Sequence, residues 1–332
     1  MLIVNPNFTI DRTVQLDVMV PGSVHRTGPA VVSLGGKGVN VARVARAFGR
    51  PAIVIGFLPA FSAPELAALA AKEGATLDGI PVNGTVRAAT VMLETTGRVS
   101  VFNEPGPRVE EIDWARLLGE VERHASEHRT VVCSGSLPPG SPVDTYAHVV
   151  ALARKTGLRS VVDATGEVLR AALAEQPDIV SPNLPEAEAL VTGALIEDVE
   201  PAGEQVVERA AGAARGLLTL GAKVAIVSAG SHGAAFASSA GTFFCPAPKV
   251  EVVNPIGAGD SLVGGLVCAL EDGLDLTAAV VRALAVASAS CEQPVAGAVD
   301  IGRAEGLEKQ MTARAVDPPA QAFSKLEAAR PA

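Results

Sequence analysis

The sequence predicts an α/β chain, with a mainly parallel central sheet covered by helices on both faces and a small β-sheet lid over it. Three observations predict it. Short β-branched runs alternate with Ala- and Leu-rich stretches of helical length along most of the 332 residues. Several of those runs are apolar at nearly every position, as strands buried on both faces are. Two regions in the first third break the alternation and read as half-buried strands with a period of two.

The first of those regions is 9–20, where Ile10, Val14, Leu16, Val18 and Val20 stand among polar residues. Residues 30–34 are strand-like and run into a Gly-rich turn and a helix ending near Phe48-Gly49. A buried strand follows at 52–57 and a helix at 64–73. The second half-buried region is 90–102. Val91 and Leu93 precede Thr95-Thr96-Gly97, and Val99 and Val101 follow, a hairpin pattern with Gly in its turn. The remaining strands fall at 130–134, 160–163, 178–182 and 223–228, with helices at 144–156 and 204–219. The lid is drawn from about 9–30 and 85–105; an edge extension of the main sheet is the alternative. Residues 1–306 form the domain. Residues 307–332 contain Asp317-Pro318-Pro319 and have no clear apolar face after it, so they read as a mobile or loosely docked tail.

Composition narrows the function. Hydrophobic residues make up 48% and aromatic residues only 3%, so the core must be built from Ala, Val and Leu. A net charge of −9 leaves no electrostatic footprint for nucleic acid. Any phosphate must be met by local Arg, Lys and backbone N–H groups. The longest apolar stretches fall short of a membrane span, and 278–289 is interrupted by Arg282. Met1-Leu2-Ile3-Val4-Asn5 lacks the features of a signal peptide. Cys133, Cys245, Cys268 and Cys291 are spaced like neither a zinc ribbon nor a redox pair. A soluble cytoplasmic protein with no membrane or nucleic-acid partner is expected.

Two segments carry chemistry. Gly35-Gly36-Lys37-Gly38-Val39-Asn40 opens the first helix. It has neither the spacing of a P-loop nor that of a dinucleotide fingerprint. Its glycines admit close approach of a polyhydroxy ligand; Lys37 offers charge and Asn40 both a donor and an acceptor. By itself the segment fits a ligand-free turn equally well. The second segment is Asn254-Pro255-Ile256-Gly257-Ala258-Gly259-Asp260-Ser261, followed by a long apolar stretch. Small residues opening a helix expose N–H groups at its positive end, a ready anion site. Asp260 on the lip suits a site that holds a transferring phosphoryl group and deprotonates the attacking hydroxyl. The helix dipole is expected to keep Asp260 ionised at neutral pH. A simple helix cap is the alternative.

The two motifs, in this order and about 220 residues apart, resemble the amino- and carboxyl-terminal signatures of the ribokinase/PfkB-type carbohydrate kinases. The resemblance covers nearly the whole chain. Cys133-Ser134-Gly135-Ser136-Leu137-Pro138, Asp163-Ala164-Thr165-Gly166-Glu167, Pro182-Asn183-Leu184-Pro185-Glu186 and Asn5-Pro6 with Asp11-Arg12-Thr13 are similar to the 1-phosphofructokinase and tagatose-6-phosphate kinase branch.

The resemblance implies a ribokinase-like three-layer fold and ATP-dependent phosphorylation of a ketohexose phosphate. It implies Asp260 as catalytic base, with Gly257, Ala258 and Gly259 as the anion hole. Asp11, Gly36, Lys37, Asn40 and Ser136 would face the sugar. Asn183 and Glu186 would organise Mg²⁺ and the nucleotide phosphates, Glu186 indirectly. Ser228, Gly230 and Gly233 would hold ATP. Arg87 would meet the substrate's phosphate, a bidentate role suited to guanidinium; a solvated strand-edge charge is the alternative. Asn254 stands where the family usually has Asp, near a monovalent-cation site in related kinases, so K⁺ dependence is left open. The rigid, bulky turn 58–63 is expected to reshape the sugar side. A homodimer through the lid edge is expected. A same-fold kinase for a free sugar or nucleoside, and a silent sugar- or nucleotide-binding regulator, are the rival readings.

Overall fold

The computed structural model describes residues 1–193 and 203–316. In chain order the strands are β1 (Leu2–Val4), β2 (Thr9–Leu16), β3 (Val31–Gly35), β4 (Ile53–Pro59), β5 (Thr76–Val82), β6 (Arg87–Glu94), β7 (Val99–Asn103), β8 (Thr130–Ser134), β9 (Arg159–Asp163), β10 (Ile179–Val180), β11 (Val224–Ser228), β12 (Gly233–Ser238), β13 (Gly241–Pro246) and β14 (Arg314–Ala315). The helices are α1 (Lys37–Ala47), α2 (Ala63–Glu73), α3 (Glu111–His124), α4 (Thr145–Thr156), α5 (Gly166–Ala174), α6 (Leu184–Thr192), α7 (Gly203–Thr219), α8 (Ala258–Glu271), α9 (Leu276–Ser290) and α10 (Ile301–Glu308).

Among the described residues the main sheet runs β14-β13-β12-β11-β10-β9-β8-β1-β4-β5. From β11 to β5 every pairing is parallel; β12, β13 and β14 add an antiparallel edge. Strand residues alternate between two cores. Leu2, Val4, Val131, Cys133 and Val227 face α3 to α7, while Ile3, Val132 and Ile226 face α1, α2, α8 and α9. That two-sided burial is why these runs are apolar at every position.

The second sheet, β3-β2-β6-β7, is separate from the first, as the period-two regions predicted. The β6–β7 hairpin turns at Gly97, whose φ of +83° is open to glycine at little cost. The segment from 307 is more firmly seated than expected up to Val316. Leu307 is buried against α9, and β14 pairs with β13 at Phe243–Ala315 and Phe244–Arg314. Residues 317–332, including the Pro pair, lie outside the described residues.

The parallel order reverses at β1: β4 and β5 extend one way, β8 and β9 the other. A crevice opens where strands diverge in this way, at their carboxyl ends. Asn5, Gly135, Asp163, Asn183 and Ser228 all lie at or just past such ends. Opposite them, α8 lies close against α1 because Gly264 has no side chain. A Cβ there would stand 2.8 Å from Cβ of Val44.

Candidate active site

A cleft of about 830 Å³ lies between the carboxyl ends of the parallel strands and the small sheet. It gathers most of the residues singled out in the sequence. Asp11, Gly36, Lys37, Asn40, Arg87, Ser136, Asn183, Ser228, Gly257, Ala258, Gly259 and Asp260 line it; Glu186, Gly230 and Gly233 do not.

Gly257 starts α8 with φ +82°, where a Cβ would stand 2.9 Å from Cβ of Ala296. Among the described residues no acceptor takes the N–H groups of Gly257, Gly259 or Asp260. These free donors at a helix N-terminus suit a phosphate. Asp260 is buried, and its Oδ2 accepts from Nδ2 of Asn40 at 2.7 Å. Burial pushes its pKa up to about 7, against the pull of Lys37 and Asn40. The helix dipole, expected to keep Asp260 ionised, is thus opposed by desolvation, which favours the protonated form.

Lys37 Nζ reaches both carboxylate oxygens of Asp163, at 3.3 and 3.4 Å, and Ser134 Oγ also donates to Asp163. The Asp163 charge holds Lys37 protonated above its ordinary range, outweighing desolvation. The sequence showed Asp163 only as part of a family-like segment. A pairing over 126 positions has no local signal. Asn40, expected to offer its amide to sugar hydroxyls, instead uses one N–H on Asp260 and its oxygen on Arg43 at 2.8 Å.

At the lid end, Arg87 Nη2 donates to the Asn7 carbonyl at 3.2 Å and Nη1 to the Glu104 carbonyl at 3.4 Å. Arg87 Nε, Asn7 Oδ1 and Asp11 Oδ1 are buried without partners. Burial raises the Asp11 pKa to about 6, and burial also pulls the Arg87 pKa down. Unpaired buried polar atoms are costly, so a cluster of them beside a cleft fits a polar ligand. None of residues 58–63 lines the cleft. Ser62 Oγ instead accepts from the Val86 N–H at 2.9 Å, tying that turn to the residue before Arg87.

Asn183 and Glu186 form a reciprocal capping box on α6. Asn183 Oδ1 accepts from the Glu186 N–H at 2.9 Å, and Glu186 Oε2 from the Asn183 N–H at 3.0 Å. The N-x-x-E spacing is itself the signature of that box, a structural role the sequence reading passed over. Burial raises the Glu186 pKa. Gly230 and Gly233 bound the turn before β12, and a Cβ on Gly233 would run into the Cys245 carbonyl. Asn254 is a backbone clamp: it donates to the Pro294 carbonyl at 3.1 Å and accepts from the Ile256 N–H at 3.0 Å.

Over residues 5–300 the chain matches, and belongs to, the pfkB family of carbohydrate kinases. It is 34% identical over 274 residues to a 1-phosphofructokinase of Xanthomonas campestris pv. campestris, covering 80% of this chain and 82% of that one. Against a 1-phosphofructokinase of Haloferax volcanii the identity is 33% over 274 residues, with 82% and 85% covered. The structure of Escherichia coli phosphofructokinase-2 in complex with fructose-6-phosphate superposes with a TM-score of 0.80 at 26% identity, over 93% of this chain and 98% of that one. Ribokinase of Thermotoga maritima shares the fold, with a TM-score of 0.70 at 22% identity over 93% and 99% of the two chains. The ribokinase-like fold expected from the motifs is the fold found. Family and relatives together make this chain a sugar phosphate kinase. Kinases of this family use ATP, typically with Mg²⁺. No helix among the described residues is long and apolar enough to cross a membrane.

Proposed function

We propose that the chain transfers the γ-phosphoryl group of ATP to a primary hydroxyl of a ketohexose phosphate, giving a hexose bisphosphate and ADP. One observation carries the reading. Asp260, buried beside free helix N-terminal N–H groups, faces across one cleft the polar cluster of Arg87, Asn7 and Asp11. A base and an anion hole at one end, and a cation at the other, match an acceptor that already carries a phosphate.

Asp260 takes the proton of the attacking hydroxyl as the bond to phosphorus forms. A pKa raised to about 7 leaves it ionised in part at neutral pH and makes it a stronger base than an exposed aspartate. The free N–H groups of Gly257 and Gly259 meet the charge on the transferring oxygens, whereas the Ala258 N–H, expected to join them, closes a turn onto the Pro255 carbonyl at 3.3 Å. Asp11, Gly36 and Ser136 orient the sugar, while Asn40 holds the Asp260 carboxylate. Lys37 adds a positive charge beside Asp260, and Arg87 meets the substrate phosphate. Asn183, Ser228, Gly230 and Gly233 seat the nucleotide. Mg²⁺ bound with the nucleotide phosphates would supply charge neutralisation, and Glu186, whose Oε1 lies outside the capping bond, would help organise it indirectly, through those phosphates. The small sheet closes over the cleft to keep water from the γ-phosphate. The exposed Phe102 on β7, an edge strand of the small sheet, supports pairing of two copies through the lid.

Fructose 1-phosphate, fructose 6-phosphate and tagatose 6-phosphate all fit this description. The names of the relatives put fructose 1-phosphate first. The test is ADP release from MgATP with each of the three, and with fructose and ribose, using Asp260→Asn as control. Turnover is expected to be highest with fructose 1-phosphate and lost in the variant. Activity confined to free sugars would remove the phosphate role of Arg87. Sugar-independent nucleotide binding with no ADP release would favour the regulator.

A further inference from the structure

We infer that Arg43, braced by Glu73, is a positioning residue that fixes which end of the Asn40 amide faces Asp260. The inference rests on the reading of Asp260 as the base.

A primary amide has a donor end and an acceptor end of nearly equal shape, and its neighbours decide which way it points. Asp260, when ionised, accepts only. It is served if Asn40 turns its N–H toward it, as it does at 2.7 Å. The reverse orientation would set a carbonyl oxygen against a buried carboxylate. Arg43 lies on the other side of the amide. Its Nη1 donates to Asn40 Oδ1 at 2.8 Å. A guanidinium has no acceptor and stays charged, so only the carbonyl end of Asn40 fits against it. Arg43 thereby selects the orientation that serves Asp260.

The guanidinium is itself held from four segments. Nη2 donates to the Leu34 carbonyl at 2.7 Å and to Glu73 Oε2 at 2.6 Å, and Nη1 also donates to the Ala296 carbonyl. The other oxygen of Glu73 accepts from the Leu34 N–H at 2.8 Å. So the end of β3, α1, the end of α2 and the loop after α9 converge on one side chain. Arg43 and Glu73 are mostly buried. Neither Glu73 nor the rest of this brace lines the cleft, and Arg43 does not line it.

The consequence is electrostatic. The Asn40 hydrogen bond favours the charged form of Asp260, so losing it raises the pKa of Asp260. The acidic limb of the kcat–pH profile then moves to higher pH, by about one unit for one charge-assisted bond. Three other charged groups act on Asp260: Lys37 from α1, Asp163 from β9 and Asp11 from β2. Arg43 is also the strongest charge holding Asp11 down. Removing it lets Asp11 stay protonated to higher pH, and a neutral Asp11 would lower the pKa of Asp260. An upward shift is therefore the mark of the amide rather than of Asp11.

The experiment measures kcat and KM against pH, and the Asp260 pKa by carboxyl ¹³C NMR titration of the free protein. The proteins are wild type, Arg43→Met, Arg43→Lys, Glu73→Gln, Asn40→Ala and Arg43→Met/Asn40→Ala. Arg43→Met is expected to raise the Asp260 pKa and the acidic limb by about one unit, with KM for ATP within a few-fold. Arg43→Lys, still a donor without an acceptor, keeps both near wild type. Asn40→Ala matches Arg43→Met, and the double variant goes no further. A lower kcat with an unmoved Asp260 pKa in Arg43→Met would overturn the inference, leaving Arg43 a structural residue. Additive shifts in the double variant would overturn it too, as would a direct charge effect that persists without Asn40. If Arg43→Met does not fold, Glu73→Gln loosens the same guanidinium and must shift the pKa in the same direction. An NMR pKa that moves while the kcat limb stays fixed would support the positioning and refute Asp260 as the base.

Discussion

Asp260→Asn should abolish turnover and yet stabilise the protein at neutral pH. Burial raises the folded-state pKa of Asp260 from 3.8 to about 7. A carboxyl group with a raised pKa binds its proton more tightly in the folded state than in the unfolded state. The folded state therefore loses stability as pH rises from about 4 to about 7, and the loss is complete above that. Three pH units correspond to about 4 kcal/mol, an upper bound at pH 8. Asparagine carries no charge to desolvate, but its buried NH₂ lacks an acceptor, which costs about 1–3 kcal/mol. The variant should then be about 1–3 kcal/mol more stable than wild type at pH 8, with the order equal or inverted near pH 4.5. Urea unfolding at pH 4.5, 6.5 and 8 reads this difference directly. The kcat loss should reach about 10²–10⁴-fold, the usual worth of a general base, with ATP binding retained. A stability difference that does not change with pH, or a variant less stable at pH 8, would refute the claim that Asp260 carries a desolvated charge. Undiminished turnover would refute its role as base.

Arg87→Ala should lower kcat/KM for phosphosugars by about 10–100-fold, the worth of one charge-assisted contact, and change use of free sugars little. Equal losses on both, in parallel ADP-release assays, would remove Arg87 from the phosphate. Gly264→Ala should cost about 1–3 kcal/mol in urea unfolding, because the new Cβ pushes α8 from Val44. It should also lower kcat, since Asn40 lies one turn before Val44 and the 2.7 Å bond to Asp260 crosses that gap. A stable variant with full kcat would mean that helix spacing does not set the site. Glu186→Gln can keep the capping box and should leave the melting temperature near wild type, while KM for MgATP rises about tenfold. An unchanged KM would reduce Glu186 to the helix cap.

Much of the fold was legible because its signals are local. Runs such as 130–134 are apolar throughout because both faces are covered, and the structure has a strand over those same residues. The 90–102 hairpin shows in its alternation and in Gly97. Other elements left too little trace. β1 is three residues long, too short for any period, yet it is the strand at which the sheet order reverses. The β12–β13 hairpin is built largely of Ala, Phe and Gly, and its antiparallel placement is set by the neighbouring β11. Arg314–Ala315 belongs to a strand only because an open edge at β13 accepts it.

The site divides along the same line. The glycine turn before Lys37, the small-residue turn before Asp260 and the net negative charge are all legible in the chain alone. These follow from backbone freedom, helix-end donors and net charge, which neighbouring residues define. Folding is what pairs Lys37 with Asp163 across 126 positions and brings Asn40 to Asp260 across 220. The same packing buries Asp260 and so raises its pKa. The helix dipole is a local quantity and readable in the chain. Desolvation depends on every group packed around the carboxylate, and no segment of the sequence contains it.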